Sequence, residues 1–219
     1  MRDTMRPAND PSVDYKDLVR RGYEECSDAF SEARMPGSAA ALSPLLDRLS
    51  AGSTVLDLGC GVGVPIARTL AEQDEVVGID FSEAQVRRAK ANVPEGRFFC
   101  AELLSADLPP ESFDAVVAFY VVFHLAREQH AELFRRVYGW LRPSGYFVVT
   151  VSRFNEPAYL EEDFFGATMY WSNFSLSEYR ELLLQTGFRL VEAANLGHGY
   201  GASHHGPSES HPLLFAQKT

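Results

Sequence analysis

Basic residues are in short supply: 20 Lys and Arg face 30 Asp and Glu, leaving a net charge of −10 over 219 residues. A nucleic-acid groove needs clustered cations against phosphate, so no nucleic-acid partner is expected. The pairs Arg20-Arg21, Arg87-Arg88 and Arg135-Arg136 sit among acids in helical patterns and read as solvated helix faces. Cysteine is also rare. Cys26, Cys60 and Cys100 are odd in number and stand at no metal-ligand spacing. Neither a disulfide framework nor a metal is expected, and a reducing cytoplasm follows. No apolar run approaches the ~20 residues of a membrane span, and the two early arginines precede no apolar core. Membrane anchor and secretory signal are both absent from the expectation, as is any internal repeat.

What is present suits one α/β domain with a sizeable core, since 46% of the residues are hydrophobic. Residues 1–14 are polar and proline-punctuated and read as a flexible tail. Residues 15–33 alternate charge with Leu18, Val19, Tyr23 and Phe30, an amphipathic helical pattern. Another helix is expected over 39–49. Strands follow at 54–58, 75–80, 97–102, 113–119 and 146–152. Between them lie helices at 65–72, after the capping box Ser82-Glu83-Ala84-Gln85, and at 127–141 with the stripe Leu133, Phe134, Val137, Leu141. Pro143-Ser144-Gly145 reads as a turn. Such alternation predicts a parallel sheet with helices on both faces.

The ending differs. Ser175-Leu176-Ser177-Glu178 caps a helix that Gly187 closes, and strands at 188–194 and 212–217 follow with no helix between them. Strands so connected pair only as an antiparallel hairpin. The expected fold is α/β, doubly wound, with a mostly parallel seven-stranded sheet and an antiparallel C-terminal hairpin. A single domain over 15–219 would comprise a helical cap (15–50), a cofactor-binding core (51–152) and a substrate-side segment with the last helix and hairpin (153–219).

The run from Val55 to Gly63 is the chemical centre of the sequence. An apolar strand carries Asp57, then breaks into a loop with glycine at 59, 61 and 63. Missing Cβ atoms let a ligand approach the backbone, and a helix N-terminus follows with Pro65 in its first turn. A dinucleotide site would place its third glycine at position 64, where Val64 stands. A strand carboxylate also suits a cationic cofactor better than a pyrophosphate. The pattern acidic-x-Gly-x-Gly-x-Gly resembles the first motif of the class I S-adenosylmethionine (SAM)-dependent methyltransferases. Ser112-Phe113-Asp114-Ala115-Val116-Val117-Ala118-Phe119 is similar to that family's fourth strand. Leu141-Arg142-Pro143-Ser144-Gly145 is similar to its Leu-x-Pro-Gly-Gly turn, with Ser144 replacing a glycine. The resemblance covers roughly residues 15–218 and implies the seven-stranded fold with its reversed hairpin.

The resemblance also implies a cofactor, SAM, with S-adenosylhomocysteine (SAH) as product. Asp57, Gly59, Gly61 and Gly63 would form the cradle. Asp80, ending the second strand about twenty residues on, would accept the ribose hydroxyls. Phe81 either flanks the adenine or packs as an ordinary aromatic. Glu102 would accept from the adenine amino group, a departure from the more usual Asp, with Leu103 contacting the ring. Asp107 competes for that role. The strand end from Ala118 through Phe119 to Tyr120 would offer carbonyls to the ammonium group. Tyr23 either closes over the methionine end or packs within the cap.

His124, just past the fourth strand, is the candidate catalytic base; the alternative is a pocket-lining histidine bonded to backbone. Residues 153–174 are dense in aromatics and would wall a mostly apolar acceptor pocket, with Tyr120, Tyr170 and Trp171 as its lining. Glu161-Glu162-Asp163 reads as a solvated turn. The His- and Gly-rich stretch 195–211 reads as a lid or idle loop rather than a metal site. The Asn/Asp-Pro-Pro-Tyr run of the nucleobase and glutamine methylases is missing, with Phe119-Tyr120-Val121-Val122 in its place, which argues against those acceptors. The expected function is methyl transfer to a small-molecule acceptor, at oxygen or alternatively nitrogen, by a cytoplasmic monomer or homodimer. A SAM-binding, non-methylating module is the other reading.

Overall fold

A computed structural model describes residues 5–8, 10, 12–33, 37–196 and 211–219. Among these the chain begins with strand β1 (Met5–Pro7) and helix α1 (Tyr15–Ala33), then two short helices, α2 (Gly37–Ala40) and α3 (Ser43–Leu46). The central run is β2 (Thr54–Leu58), α4 (Ile66–Leu70), β3 (Glu75–Asp80), α5 (Glu83–Asn92), β4 (Arg97–Cys100) and β5 (Phe113–Ala118). Helix α6 (His130–Trp140) leads into β6 (Leu141–Thr150), then β7 (Glu156–Phe164) and β8 (Ala167–Asn173). Helix α7 (Leu176–Thr186) and strands β9 (Phe188–Leu196) and β10 (His211–Lys218) complete it.

Seven strands form one sheet in the order β4-β3-β2-β5-β6-β10-β9. The first five pair in parallel, and β10 is antiparallel to both β6 and β9. This is the doubly wound sheet with a reversed hairpin that the element order predicts. Alternation explains its two-sided core. Leu56, Leu58, Val116 and Ala118 face one side, with Phe134 and Val137 of α6 and Leu183 of α7. Val55, Ala115 and Val117 face the other, with Ile66 and Leu70 of α4 and Val86 of α5. Strands buried on both faces need continuous apolar sequence, which is what the central strands carry.

Several expected details shift. The helix expected over 39–49 is two single turns, and that over 127–141 begins as a 3-10 turn (Arg127–Gln129) before α6. Pro143-Ser144-Gly145 lies inside β6, where the register with β5 slips between Phe113 and Ala115 and Ser144 takes φ 65°. Strand β4 stops at Cys100, so Glu102 stands on the loop beyond it.

The largest difference is a second sheet, three strands in the order β1-β7-β8. Residues expected to be a flexible tail supply β1, with Met5 opposite Glu161 and Pro7 opposite Tyr159. The aromatic segment after β6 is a hairpin turned by Phe165 and Gly166 at φ 52° and 84°. Two successive positive φ values match the twist of the flanking strands. The acidic triplet is therefore strand, not turn: Glu161 is 6% exposed, and Glu162 pairs with Arg6 at 2.6 Å. Helix α1 lies across β8. Gly22 allows the approach, since a Cβ there would stand 2.9 Å from Met169 Sδ and 3.0 Å from the Thr168 carbonyl.

Candidate active site

A cleft of about 1000 Å³, counting its open mouth, lies at the C-terminal ends of β2, β3 and β5 and is covered by α1. Its floor is the glycine loop. Gly59 takes φ 65°, and a Cβ there would fall 2.3 Å from Val121 Cγ2. Gly61, at φ 53°, has nothing within 4 Å of that position and borders the open space. Gly63 has another role: its absent Cβ would meet Val93 and Ala89 at 3.2–3.4 Å, so it lets α5 pack close to the loop. Asp57 is likewise set back. It is 2% exposed within β2 and does not line the cleft.

Asp80 ends β3 at the cleft. Its carboxylate accepts from the Gly61 N–H at 3.0 Å and the Ser82 N–H at 2.9 Å. Burial pushes its carboxyl up to about 6, against the pull of those two bonds. Ser82 caps α5 by accepting from the Gln85 N–H at 3.3 Å and donates to Glu24 Oε1 at 2.8 Å. The capping box is half realised, because the Gln85 side chain instead reaches the Tyr23 carbonyl and Ser27 on α1. Phe81, Leu103 and Phe119 line the same cleft. Glu102 stands at its mouth in an ion pair with Lys16 of α1.

Lys16, Val19, Tyr23, Ser27 and Phe30 recur at helical spacing and present one face of α1 to the cleft. Of these the sequence singled out only Tyr23 for the site. The 3-4-4-3 spacing is the signal that marks the whole face.

The Tyr23 hydroxyl lies 2.8 Å from His124 Nε2, and His124 Nδ1 lies 2.9 Å from the Tyr170 carbonyl. A carbonyl only accepts, so Nδ1 carries the ring proton and Nε2 accepts from the tyrosine O–H. Burial pushes the imidazole down to about 4, so it is neutral near pH 7. Tyr120 also lines the cleft, in the left-handed region at φ 58°, its N–H donating to Thr150 Oγ1 at 2.5 Å. A non-glycine residue held there costs energy that the fold must supply elsewhere. Tyr170 and Trp171, expected as pocket walls, stand behind it. Trp171 packs 4.5 Å from the His124 ring, and the Tyr170 ring stacks on Tyr15 at 4.7 Å. They sit on β8, whose strand character places them in the second sheet's core. The loop 197–210, with its three histidines, lies outside the described residues, while His211 packs on Tyr120 and Phe123. Asp107 does not line the cleft.

A glycine loop after the first strand of a parallel sheet, an acid ending the next strand and a reversed last hairpin together define the class I methyltransferase architecture. Residues 55–145 match the family model described as methyltransferase domain. That segment carries the methyltransferase domain, and the described residues take the class I methyltransferase fold. It is 31% identical over 153 residues to a probable SAM-dependent methyltransferase of Mycolicibacterium smegmatis, covering 69% of this chain and 58% of that one. It is 25% identical over 154 residues to the phosphoethanolamine N-methyltransferase of Plasmodium falciparum, covering 68% and 58%. The chain thus spans less than two thirds of the length of these curated relatives. A Burkholderia thailandensis 1,6-didemethyltoxoflavin-N1-methyltransferase, crystallised with 1,6-didemethyltoxoflavin and SAH, shares the fold at TM-score 0.74 and 20% identity. That match covers 98% of this chain and 95% of that one.

Proposed function

We propose that this chain is a SAM-dependent methyltransferase acting on an O–H or N–H of a small molecule. The cradle fits the cofactor: Gly61 leaves open space where a side chain would stand, and a buried carboxylate, Asp80, borders it. Gly59 and Gly61 would pass the cofactor close to the backbone, Asp80 would hold the ribose, and Phe81, Glu102 and Leu103 would surround the adenine. The end of β5 at Phe119 would take the ammonium group. When bound, SAM supplies a methyl group activated on a sulfonium. The protein's own work is alignment, water exclusion and handling of one proton.

The observation that carries this reading is the Tyr23–His124 pair in the same cleft as the glycine loop and Asp80. With Nδ1 fixed on the Tyr170 carbonyl, Nε2 is the basic atom. An acceptor's proton can pass to Tyr23 Oη while the tyrosine proton passes to Nε2. An acceptor O–H or N–H becomes far more acidic as its heavy atom forms a new bond, so even an imidazole held near 4 can take that proton. Water outside the cleft then receives it.

Purified protein incubated with SAM and a panel of phenols and N–H heteroaromatics should accumulate SAH. His124→Ala should lower turnover ~10²-fold or more, and Tyr23→Phe should lower it in the same direction, with SAH affinity by calorimetry preserved in both. Near-normal turnover of both variants at every pH would remove the pair from the mechanism. No SAM or SAH binding to the unaltered protein would end the methyltransferase reading.

A further inference from the structure

The charged groups around the cleft narrow the acceptor. Among the described residues its lining holds one cation, Lys16, and two acids, Asp80 and Glu102. Lys16 is committed to Glu102, and Asp80 accepts from two backbone N–H groups. Among the described residues no lining arginine or second lysine stands ready for an anion. Around the Tyr23–His124 pair the wall is mostly apolar, with Val19, Phe30, Val121 and Leu125 and the ring of Tyr120, and the uncharged Ser27 and Gln85 line the same cleft. Behind it Phe123 and Trp171 close on the imidazole at 5.2 and 4.5 Å. A phosphate or carboxylate entering there would shed its hydration and gain no counter-charge from the described residues. An aromatic ring would instead gain edge and face contacts with the tyrosine and phenylalanine rings.

We infer that the acceptor is an uncharged, aromatic or heteroaromatic molecule whose one reactive polar group is an O–H or N–H that meets Tyr23 Oη. This inference rests on the methyltransferase reading above and selects against phosphorylated amines, the substrate class named for the Plasmodium relative. The wall provides area for a ring, and the Tyr23 hydroxyl, hydrogen-bonded to His124, provides a polar contact for its substituent. Phosphoethanolamine offers the wall nothing to bury and brings an anion that finds no partner.

The test is binding to protein saturated with SAH, read by calorimetry and by quenching of tryptophan fluorescence. The probes are 2-naphthol, theophylline, naphthalene and phosphoethanolamine. 2-Naphthol or theophylline should bind, and phosphoethanolamine should not at a hundredfold higher concentration. Tyr23→Phe should weaken 2-naphthol about 3- to 10-fold, one neutral hydrogen bond, and leave naphthalene unchanged. Phosphoethanolamine binding as tightly as the ring compounds, or neither ring compound binding to SAH-loaded protein, overturns the inference. Failure of SAH itself to bind is a separate result, and it overturns the cofactor reading along with this one.

Discussion

Asp80 shows how one side chain does two jobs in sequence. Its carboxylate holds the Gly61 N–H and the Ser82 N–H, tying the glycine loop to the start of α5. The same group is the proposed ribose acceptor, and only its ionised form offers lone pairs freely on both oxygens. With the carboxyl pushed up to about 6 by burial, ionisation is incomplete below neutrality. Affinity for SAH should therefore fall several-fold between pH 7.5 and 5, and Asp80→Asn should bind weakly with a much flatter profile. Calorimetry across that range decides it; an unaltered affinity at pH 5 would detach Asp80 from the ligand. At this scale the positions of Gly59, Gly61 and Asp80 at the cleft were legible from their spacing, while Gly63, spaced alike, packs against α5. Tyr170 and Trp171 were not placed correctly, since an aromatic residue reads the same in a pocket wall and in the layer behind it.

At the scale of elements, α1 is the piece that completes the cleft, and its seat on β8 depends on Gly22. Any Cβ there presses on Met169 and on the Thr168 carbonyl, and backbone cannot yield as a side chain can. Gly22→Val should cost about 1–3 kcal/mol by urea unfolding and weaken SAH by displacing Tyr23 and Lys16. Gly139→Ala in α6, whose Cβ would meet nothing within 4 Å, should instead stabilise by ~0.5–1 kcal/mol. Equal effects of the two substitutions would show that the α1–β8 contact is not tight. The central strands and α5–α7 were readable from continuous apolar runs, capping residues and the reversed last hairpin. The second sheet was not. β7 carries three consecutive acids, its turn is Phe165-Gly166 rather than Asn-Gly, and β1 is three residues whose only strand signal is its partner. Pairing across 150 residues leaves no local trace.

At the scale of the whole molecule, the described residues hold two buried histidine–tyrosine pairs of opposite tautomer. In the cleft His124 keeps its proton on Nδ1; in the core His130 donates from Nε2 to the Leu125 carbonyl at 3.1 Å and accepts from the Tyr179 hydroxyl at Nδ1, also 3.1 Å. Both imidazoles are pushed down to about 4 by burial, against 6.5 for a free histidine. Between those values the unfolded chain takes up two protons that the folded chain refuses, so stability falls as pH drops from about 6.5 to 4. Asp80 opposes this. Its raised carboxyl lets the folded chain bind a proton that the unfolded chain binds only near 3.8, which favours folding at low pH. Of these three groups the two histidines outweigh the one carboxyl, so together they make the fold less stable in acid. The urea midpoint at pH 4.5 should lie well below that at pH 7. Asp80→Asn, which removes the opposing group, should steepen the drop. Coincident midpoints at the two pH values would mean that the imidazoles titrate as freely in the fold as outside it.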